Sequence, residues 1–260
     1  MLLYKSMIKN ERLRKAVRIL SILFLVSALY LFGEEAISNI NHQKEVDQLK
    51  NIKEAVTETI IDTTDTTPAD VKPEIVMGSI EFYNKLKAAN QDYVGWISMP
   101  GLLIDHPVVI GKDNVYYLTH SLYKAYNQYG TIFVDYRNKN IFTEPHLVIY
   151  GHHMKNKSMF SHLDELRTKS KYEANKIIEI YTETGLKKYL IFSVYPVDAA
   201  IYSLTLPYKG NIKTLIAEYV KKSLYKTGVD VSKATQVLTL VTCTLAVTNG
   251  RLLVHAIPIE

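Results

Sequence analysis

With 260 residues, 47% of them hydrophobic and 22% charged, the chain can build one substantial core, and a disordered or collagen-like polymer is excluded. The formal net charge of +5 is confined to one end: residues 1 to 18 hold Lys5, Lys9, Arg12, Arg14, Lys15 and Arg18 against Glu11, leaving 25 basic and 25 acidic residues elsewhere. The body is neutral, so a general role in binding nucleic acid or other polyanions loses its main support.

The basic residues form a tail over residues 1–15 that abuts an uncharged run of 14 residues, Ile19 to Phe32, extended by Val17 and Ala16. With Arg18 snorkelling toward the headgroups, residues 16–33 are just long enough to cross a bilayer as a short helix. Lys and Arg precede the run and Glu34 and Glu35 follow it, so the positive-inside rule keeps the amino terminus cytoplasmic and places the remainder outside. A run this short also suits a cleaved signal peptide, but Ala28-Leu-Tyr30 is a poor small-x-small site; the expectation is an uncleaved single-pass anchor.

Ile37, Ile40, Val46, Leu49, Ile52, Val56 and Ile60 then recur at loosely helical spacing among charged residues, which predicts a stalk helix. It gives way at residues 62–73 to a polar, proline-bearing linker. Residues 34–73 are thus stalk and linker, and 74–260 a folded domain. Ser79 caps a helix over Ile80 to Ala89, with Phe82, Leu86 and Ala89 on one face.

From Tyr93 onward the pattern changes to short apolar runs bounded by turn residues: Val94 to Ser98, Leu103 to Ile110, Thr131 to Tyr136, His146 to Tyr150, Ile177 to Thr182, Lys188 to Pro196, Val237 to Cys243 and Leu252 to Ile259. Eight such runs predict a mainly β fold with helices, a closed or nearly closed eight-stranded barrel. One amphipathic helix, capped by Asn211 and running to Lys226, interrupts them before the cysteine strand.

Cys243 is the sole cysteine, so it closes no intramolecular disulfide and is either an inert small hydrophobe or a reactive thiol. It ends a core-like strand, where a nucleophile would be held rigidly, yet with an ordinary pKa of ~8.5 it needs a base or cation beside it. Arg251 follows a turn at Val247 to Gly250; a hairpin there would set it opposite Cys243, although an arginine opening a strand also suits a plain surface contact. His146-Leu-Val-Ile-Tyr-Gly-His-His153 ends a strand in a glycine that can turn the backbone and present His152. Position alone leaves His152 structural or catalytic. A metal site has little support, because adjacent histidines diverge on extended backbone and only one cysteine could help.

In combination these residues resemble the sortases. Thr239-Leu-Val-Thr-Cys243 fits their TLxTC signature, Arg251 stands at the place of their essential arginine, and Tyr150-Gly-His152 matches their catalytic histidine segment. The class B branch is similar over residues 79 to 260: Asp92 to Ile97, His106 to Asn114 through Tyr117-Leu118, Gly130 to Asn138, and Gly151 to Lys155 followed by Met159-Phe160. The helix at 211 to 226 falls where that branch inserts one.

The resemblance implies a cofactor-free, membrane-anchored cysteine transpeptidase on the outer face of a Gram-positive-type cell. Cys243 would attack the carbonyl after threonine in a carboxyl-terminal sorting motif of the Asn-Pro-x-Thr kind on a surface protein. His152 would serve as acid and base, Arg251 would stabilise the oxyanion, and His153 would be structural. A peptidoglycan amine, or that of its lipid-linked precursor, would accept the acyl group. Asn114 and Leu118 match positions lining the family's peptide groove. Val241 replaces the serine, and Thr244-Leu-Ala246 the Tyr-Glu-like pair, that class B members usually carry near the cysteine, so Val241 and Thr244 join the candidate substrate contacts. The same scaffold would also serve a hydrolytic cysteine protease or an inactive wall-peptide binding module; an intact Cys243, His152 and Arg251 speaks against the last. A papain-like enzyme is unsuitable, since its cysteine opens a long helix.

Overall fold

The computed structural model describes residues 11–64, 72–200, 203–244, 246 and 249–259; the first ten residues of the basic tail and residues 65–71 of the expected linker lie outside this set. Eight strands, β1 Tyr93–Met99, β2 Ile104–Ile110, β3 Ile132–Val134, β4 His146–Tyr150, β5 Ile177–Thr182, β6 Gly185–Asp198, β7 Val237–Thr244 and β8 Gly250–Ile259, close into a barrel. Their order around it is β1-β2-β3-β4-β7-β8-β6-β5. The expected eight-stranded barrel is therefore present, with β6 longer than its apolar run because residues 185–190 pair with β5 and residues 188–198 with β8, the β8 ladder shifting register between Ile191 and Ser193.

Two of the pairings, β2 with β3 and β4 with β7, are parallel. Side-chain alternation along β7 sorts its residues between two environments. Leu238 and Leu240 enter the barrel interior with Ile149, Leu252, Val254 and Ala256. Val237 and Val241 face outward, into a layer with Val148, Leu253, Ile216 and Tyr219. A third cluster coats the opposite outer wall, where Phe82, Leu86, Tyr93, Trp96, Val109 and Phe133 pack together. Each fully buried Leu, Ile, Val or Phe contributes on the order of 1.5–3 kcal/mol relative to exposure.

The helices supply the two coats. Helix α1 runs unbroken over Glu11–Thr64, so the expected anchor and stalk form one rod rather than two segments. Its apolar side chains from Val17 to Phe32 are exposed, whereas Val56 is buried and Leu49, Ile52 and Ile60 pack on the barrel coat. The expected stalk is thus docked along the barrel wall. Helices α2, Pro73–Gly78, and α3, Ile80–Ala89, complete this coat. Ser79 accepts the Phe82 N–H at 3.2 Å, a cap worth about 1 kcal/mol. A short helix α4, Lys169–Ala174, follows the turn Ser161–Arg167, whose Leu163 and Leu166 plug the barrel interior. Helix α5, Ile212–Lys222, packs against β6 in the apolar layer that Val148, Val241 and Leu253 also join, and is capped by Asn211, which accepts the Lys213 N–H at 2.9 Å.

Beneath α5 the Thr239 hydroxyl joins two buried imidazoles, 2.8 Å from His146 Nε2 and 2.9 Å from His255 Nδ1. Having one proton, it donates to one ring and accepts from the other. Tyr219 stacks on His255 at 3.7 Å between centroids. Burial holds both rings neutral, lowering His146 to about 4 and His255 well below its ordinary 6.5. As pH falls from 6.5 toward 4 the unfolded chain takes up protons at these rings before the native protein does, so stability declines through that window. Chemical denaturation of the parent and His146→Gln from pH 7 to pH 4 is expected to show roughly 3 kcal/mol greater loss in the parent. Equal losses would contradict the buried neutral pair.

Candidate active site

Parallel strands present their carboxyl ends at the same rim, and the β4–β7 register fixes which residues meet there. Tyr150 pairs with Val241, and the chain continues in register as Gly151 N–H donates to the Val241 carbonyl at 3.1 Å. Two residues further along β7 comes Cys243, paired across the hairpin with Arg251 of β8, as the spacing predicts. Turn residues Leu245, Val247 and Thr248 lie outside the described set. Cys243 shares the outward side of β7 with Val241, and its thiol is exposed, so it is not an inert core hydrophobe.

Gly151 carries its requirement differently from the expectation. Its backbone is outside the left-handed region; what demands glycine is space, since a Cβ would lie 2.5 Å from Ile132 Cδ1 and 2.5 Å from Phe160 Cδ2. This close approach threads the chain between the barrel core and the cleft. His152 follows, its carbonyl accepting the Phe160 N–H at 2.9 Å. The ring Nε2 lies 2.7 Å from the Leu118 carbonyl, and because a carbonyl only accepts, Nε2 carries a proton and Nδ1 is the free nitrogen of the neutral ring. His153 makes a β-bridge with Met159 and is not among the cleft residues.

These groups line one cleft of about 390 Å³, which also takes in Asn114, Leu118, Phe133, Tyr150, Gly151, Val241 and Thr242. It occupies the gap between the two helical coats: Phe133 belongs to the α1–α3 side, Val241 to the α5 side, and Tyr150 packs against both. The site thus sits on the barrel's outer wall near the rim. A slightly larger cavity, about 430 Å³, separates α1 from the barrel but holds none of Cys243, His152 and Arg251.

The half-buried Arg251 uses Nη1 to bond the Gly250 carbonyl at 3.0 Å, which engages one of its five N–H groups in this state. Asn114 is held at both ends of its amide, Nδ2 donating to Asp135 at 3.0 Å and Oδ1 accepting the Tyr136 N–H at 3.0 Å. Sequence reasoning missed Asp135 as a site residue, although it lies within the Gly130 to Asn138 segment. It is fully buried and also accepts from Arg137 Nε at 2.8 Å, Arg137 Nη2 at 2.7 Å and the Tyr150 hydroxyl at 3.0 Å. Burial pushes its pKa up, but the Arg137 and Asn114 hydrogen bonds outweigh this and hold the carboxyl below its usual range. Asp135 thereby fixes two walls of the cleft, Asn114 and Tyr150.

Of the four candidate substrate contacts, Asn114, Leu118 and Val241 line the cleft and Thr244 does not. Strand alternation turns Thr244 away from the side that bears Cys243, and its buried hydroxyl donates to Asp164 at 2.6 Å and accepts the Ala246 N–H at 3.2 Å. Among the described residues no group of three or more His, Cys, Asp or Glu is placed to hold a metal ion.

A family model for the sortase domain matches residues 97–259. Sortase B of Listeria monocytogenes is 30% identical over 234 residues, covering 86% of this chain and 88% of that protein. Among solved structures, sortase B of Clostridium perfringens is 34% identical with a TM-score of 0.62, over 68% of this chain and 99% of that one. A Staphylococcus aureus sortase B–substrate complex superimposes with a TM-score of 0.68 at 26% identity, over 85% of this chain and 99% of that one. Barrel and kinship agree, and the chain belongs to the sortase family, in its class B branch.

Proposed function

We propose that this protein is a membrane-anchored transpeptidase that cleaves a carboxyl-terminal sorting motif after threonine and joins the surface protein to a cell-wall amine. Members of its family are cysteine transpeptidases; the observation that carries the reading to these residues is the pairing of the exposed Cys243 with Arg251 in the cleft that His152 borders.

The chemistry follows from the residue types. The Cys243 thiolate attacks the threonine carbonyl carbon, and the oxygen of the tetrahedral intermediate takes the negative charge that the Arg251 guanidinium stabilises. As the C–N bond breaks, protonated His152 gives its Nδ1 proton to the leaving amine, and a thioester to Cys243 remains. An incoming amine attacks that thioester, Nδ1 takes its proton, and the thiolate leaves with the new peptide bond formed. Nε2 stays bonded to the Leu118 carbonyl throughout, which leaves the Nδ1 edge of the ring to carry the proton.

Asn114, Leu118 and Val241 would contact the motif, an Asn-Pro-x-Thr-like peptide. The Asn114 amide, clamped by Asp135 and Tyr136, offers its second N–H in a fixed direction. The acceptor would be an amine of peptidoglycan or of its lipid-linked precursor. Helix α1 supports the anchoring: it is the one helix among the described residues long and apolar enough to cross a membrane, with mean hydropathy 2.1 over an 18-residue window and no buried side chain there. Residues 16–33 would span the bilayer with the tail of residues 1–15 in the cytosol, placing residues 74–260 outside as the catalytic domain.

Three outcomes test this. With a fluorogenic Asn-Pro-x-Thr pentapeptide and an amine acceptor, Cys243→Ala is expected to reduce turnover to background, and comparable turnover by the variant and the parent would rule out the mechanism. Arg251→Ala is expected to lower kcat by about 10²–10³-fold while KM changes little; a rise in KM alone would assign Arg251 to substrate binding. Hydrolysis that persists without transfer, even with acceptor in excess, would select the protease reading.

A further inference from the structure

The docked half of α1 makes two kinds of contact with the barrel. Leu49, Ile52 and Val56 cover apolar surface. Between Ser38 and Glu45 the contacts are hydrogen bonds and one ring stack, His42 on Tyr129 at 4.0 Å between centroids, and they converge on one segment, residues 122–129. Glu45 accepts the Leu122 N–H at 2.7 Å and the Asn127 amide at 3.2 Å. Ser38 Oγ accepts the Gln128 N–H at 2.8 Å, and Asn41 Nδ2 donates to the Tyr126 carbonyl at 2.7 Å. Asn39 Oδ1 accepts the Tyr129 hydroxyl at 3.2 Å. Ser38, Glu45, Leu122 and Asn127 are all buried. Burying a carboxyl is costly unless its acceptors are used, and both Glu45 oxygens are spent on this one segment.

The segment is short and internally tied. Asn127 N–H donates to the Thr119 carbonyl at 2.9 Å, and Thr131 N–H to the Tyr117 carbonyl at 3.0 Å. Between those two carbonyls lies Leu118, whose own carbonyl accepts the His152 Nε2–H at 2.7 Å. Glycine at 130 is required for the return: its φ is +62°, and a Cβ there would lie 2.4 Å from the Tyr117 carbonyl oxygen and 2.8 Å from that of Leu118. Hydrogen bonds from the membrane-proximal helix fix residues 122–128, that segment fixes the Thr119 carbonyl, and one peptide link further the Leu118 carbonyl meets the imidazole.

We propose that Ser38, Asn41 and Glu45 are positioning residues for His152: by fixing residues 122–128 they hold the Leu118 carbonyl, and with it the ring tautomer that leaves Nδ1 free for proton transfer. The helix that carries the anchor is in this way part of the catalytic apparatus, acting through contacts distinct from its apolar packing. The inference rests on the reading of His152 as the proton carrier.

The test uses the full chain in detergent micelles, labelled with nitrogen-15 at histidine, at a pH where the ring is neutral; His152→Gln identifies the His152 signals. In the parent, His152 is expected to show separate protonated-Nε2 and bare-Nδ1 signals. In Glu45→Ala these draw together as the tautomers exchange, and kcat falls about tenfold with KM changed less than about twofold. Glu45→Gln, which keeps an oxygen for the Leu122 N–H, is expected to restore most of both. Unchanged His152 signals in Glu45→Ala would overturn the proposal, as would a change confined to KM. Should Glu45→Ala unfold, Asn41→Ala, which removes a solvent-exposed bond, decides by the same two outcomes. A parent that transfers no peptide would sink the functional reading alone, since the tautomer comparison needs no turnover.

Discussion

The register of one parallel strand pair determines where the chemistry of this protein can occur. β4 and β7 run in the same direction, with Tyr150 opposite Val241, so the residues just beyond each are delivered to the same end of the barrel. The β7–β8 hairpin then sets Arg251 opposite Cys243. Because side chains alternate with a period of two, a slip of one residue in either pairing would move Cys243 to the other face of the sheet. The hairpin brings Arg251 to Cys243 locally; only the long-range β4–β7 pairing brings His152 to them, and the buried interior of Leu238, Leu240, Ile149 and Val254 locks that pairing in place.

Two coats of helix and loop lie on the outer wall of this barrel, and the cleft is what they leave uncovered. α5 and its neighbours bury Val237, Val241 and Leu253 on one side. α1, α2 and α3 bury Trp96, Val109 and Phe133 on the other. Tyr150 bridges the two and is tethered from below by Asp135, a carboxylate kept ionised in a buried place by Arg137. Such a site is rigid at its floor and open to solvent above, which suits a nucleophile that must meet an extended peptide and then an amine.

Much of the fold was legible from the chain. His146 to Tyr150 and Ile177 to Thr182 match their strands residue for residue, as does the helix Ile80–Ala89 behind its Ser79 cap, because turn residues and capping chemistry bound them sharply. The Cys243–Arg251 pairing followed from an eight-residue spacing around a turn. Less accessible were the features set by tertiary contact. Apolar runs do not reveal whether neighbours pair parallel, so the β4–β7 adjacency was invisible as such. The loosely spaced apolar residues of α1 read as a free stalk because they are few, while its docking depends on Ser38, Asn41 and Glu45, polar residues that sequence patterning assigns to solvent. Thr244 was misplaced by its proximity to Cys243: adjacent residues on a strand face opposite ways, and its hydroxyl is taken by Asp164.

The most direct test of the account is a crystal structure of the protein trapped with a substrate peptide bonded to the Cys243 sulfur through the threonine position. The account predicts the peptide lying between the two coats, its carbonyl oxygen within about 3 Å of an Arg251 N–H and His152 within proton-transfer reach of the leaving-group position, with Nε2 still on the Leu118 carbonyl. A bound carbonyl directed to solvent, with Arg251 still confined to the Gly250 carbonyl and His152 turned away, would contradict it.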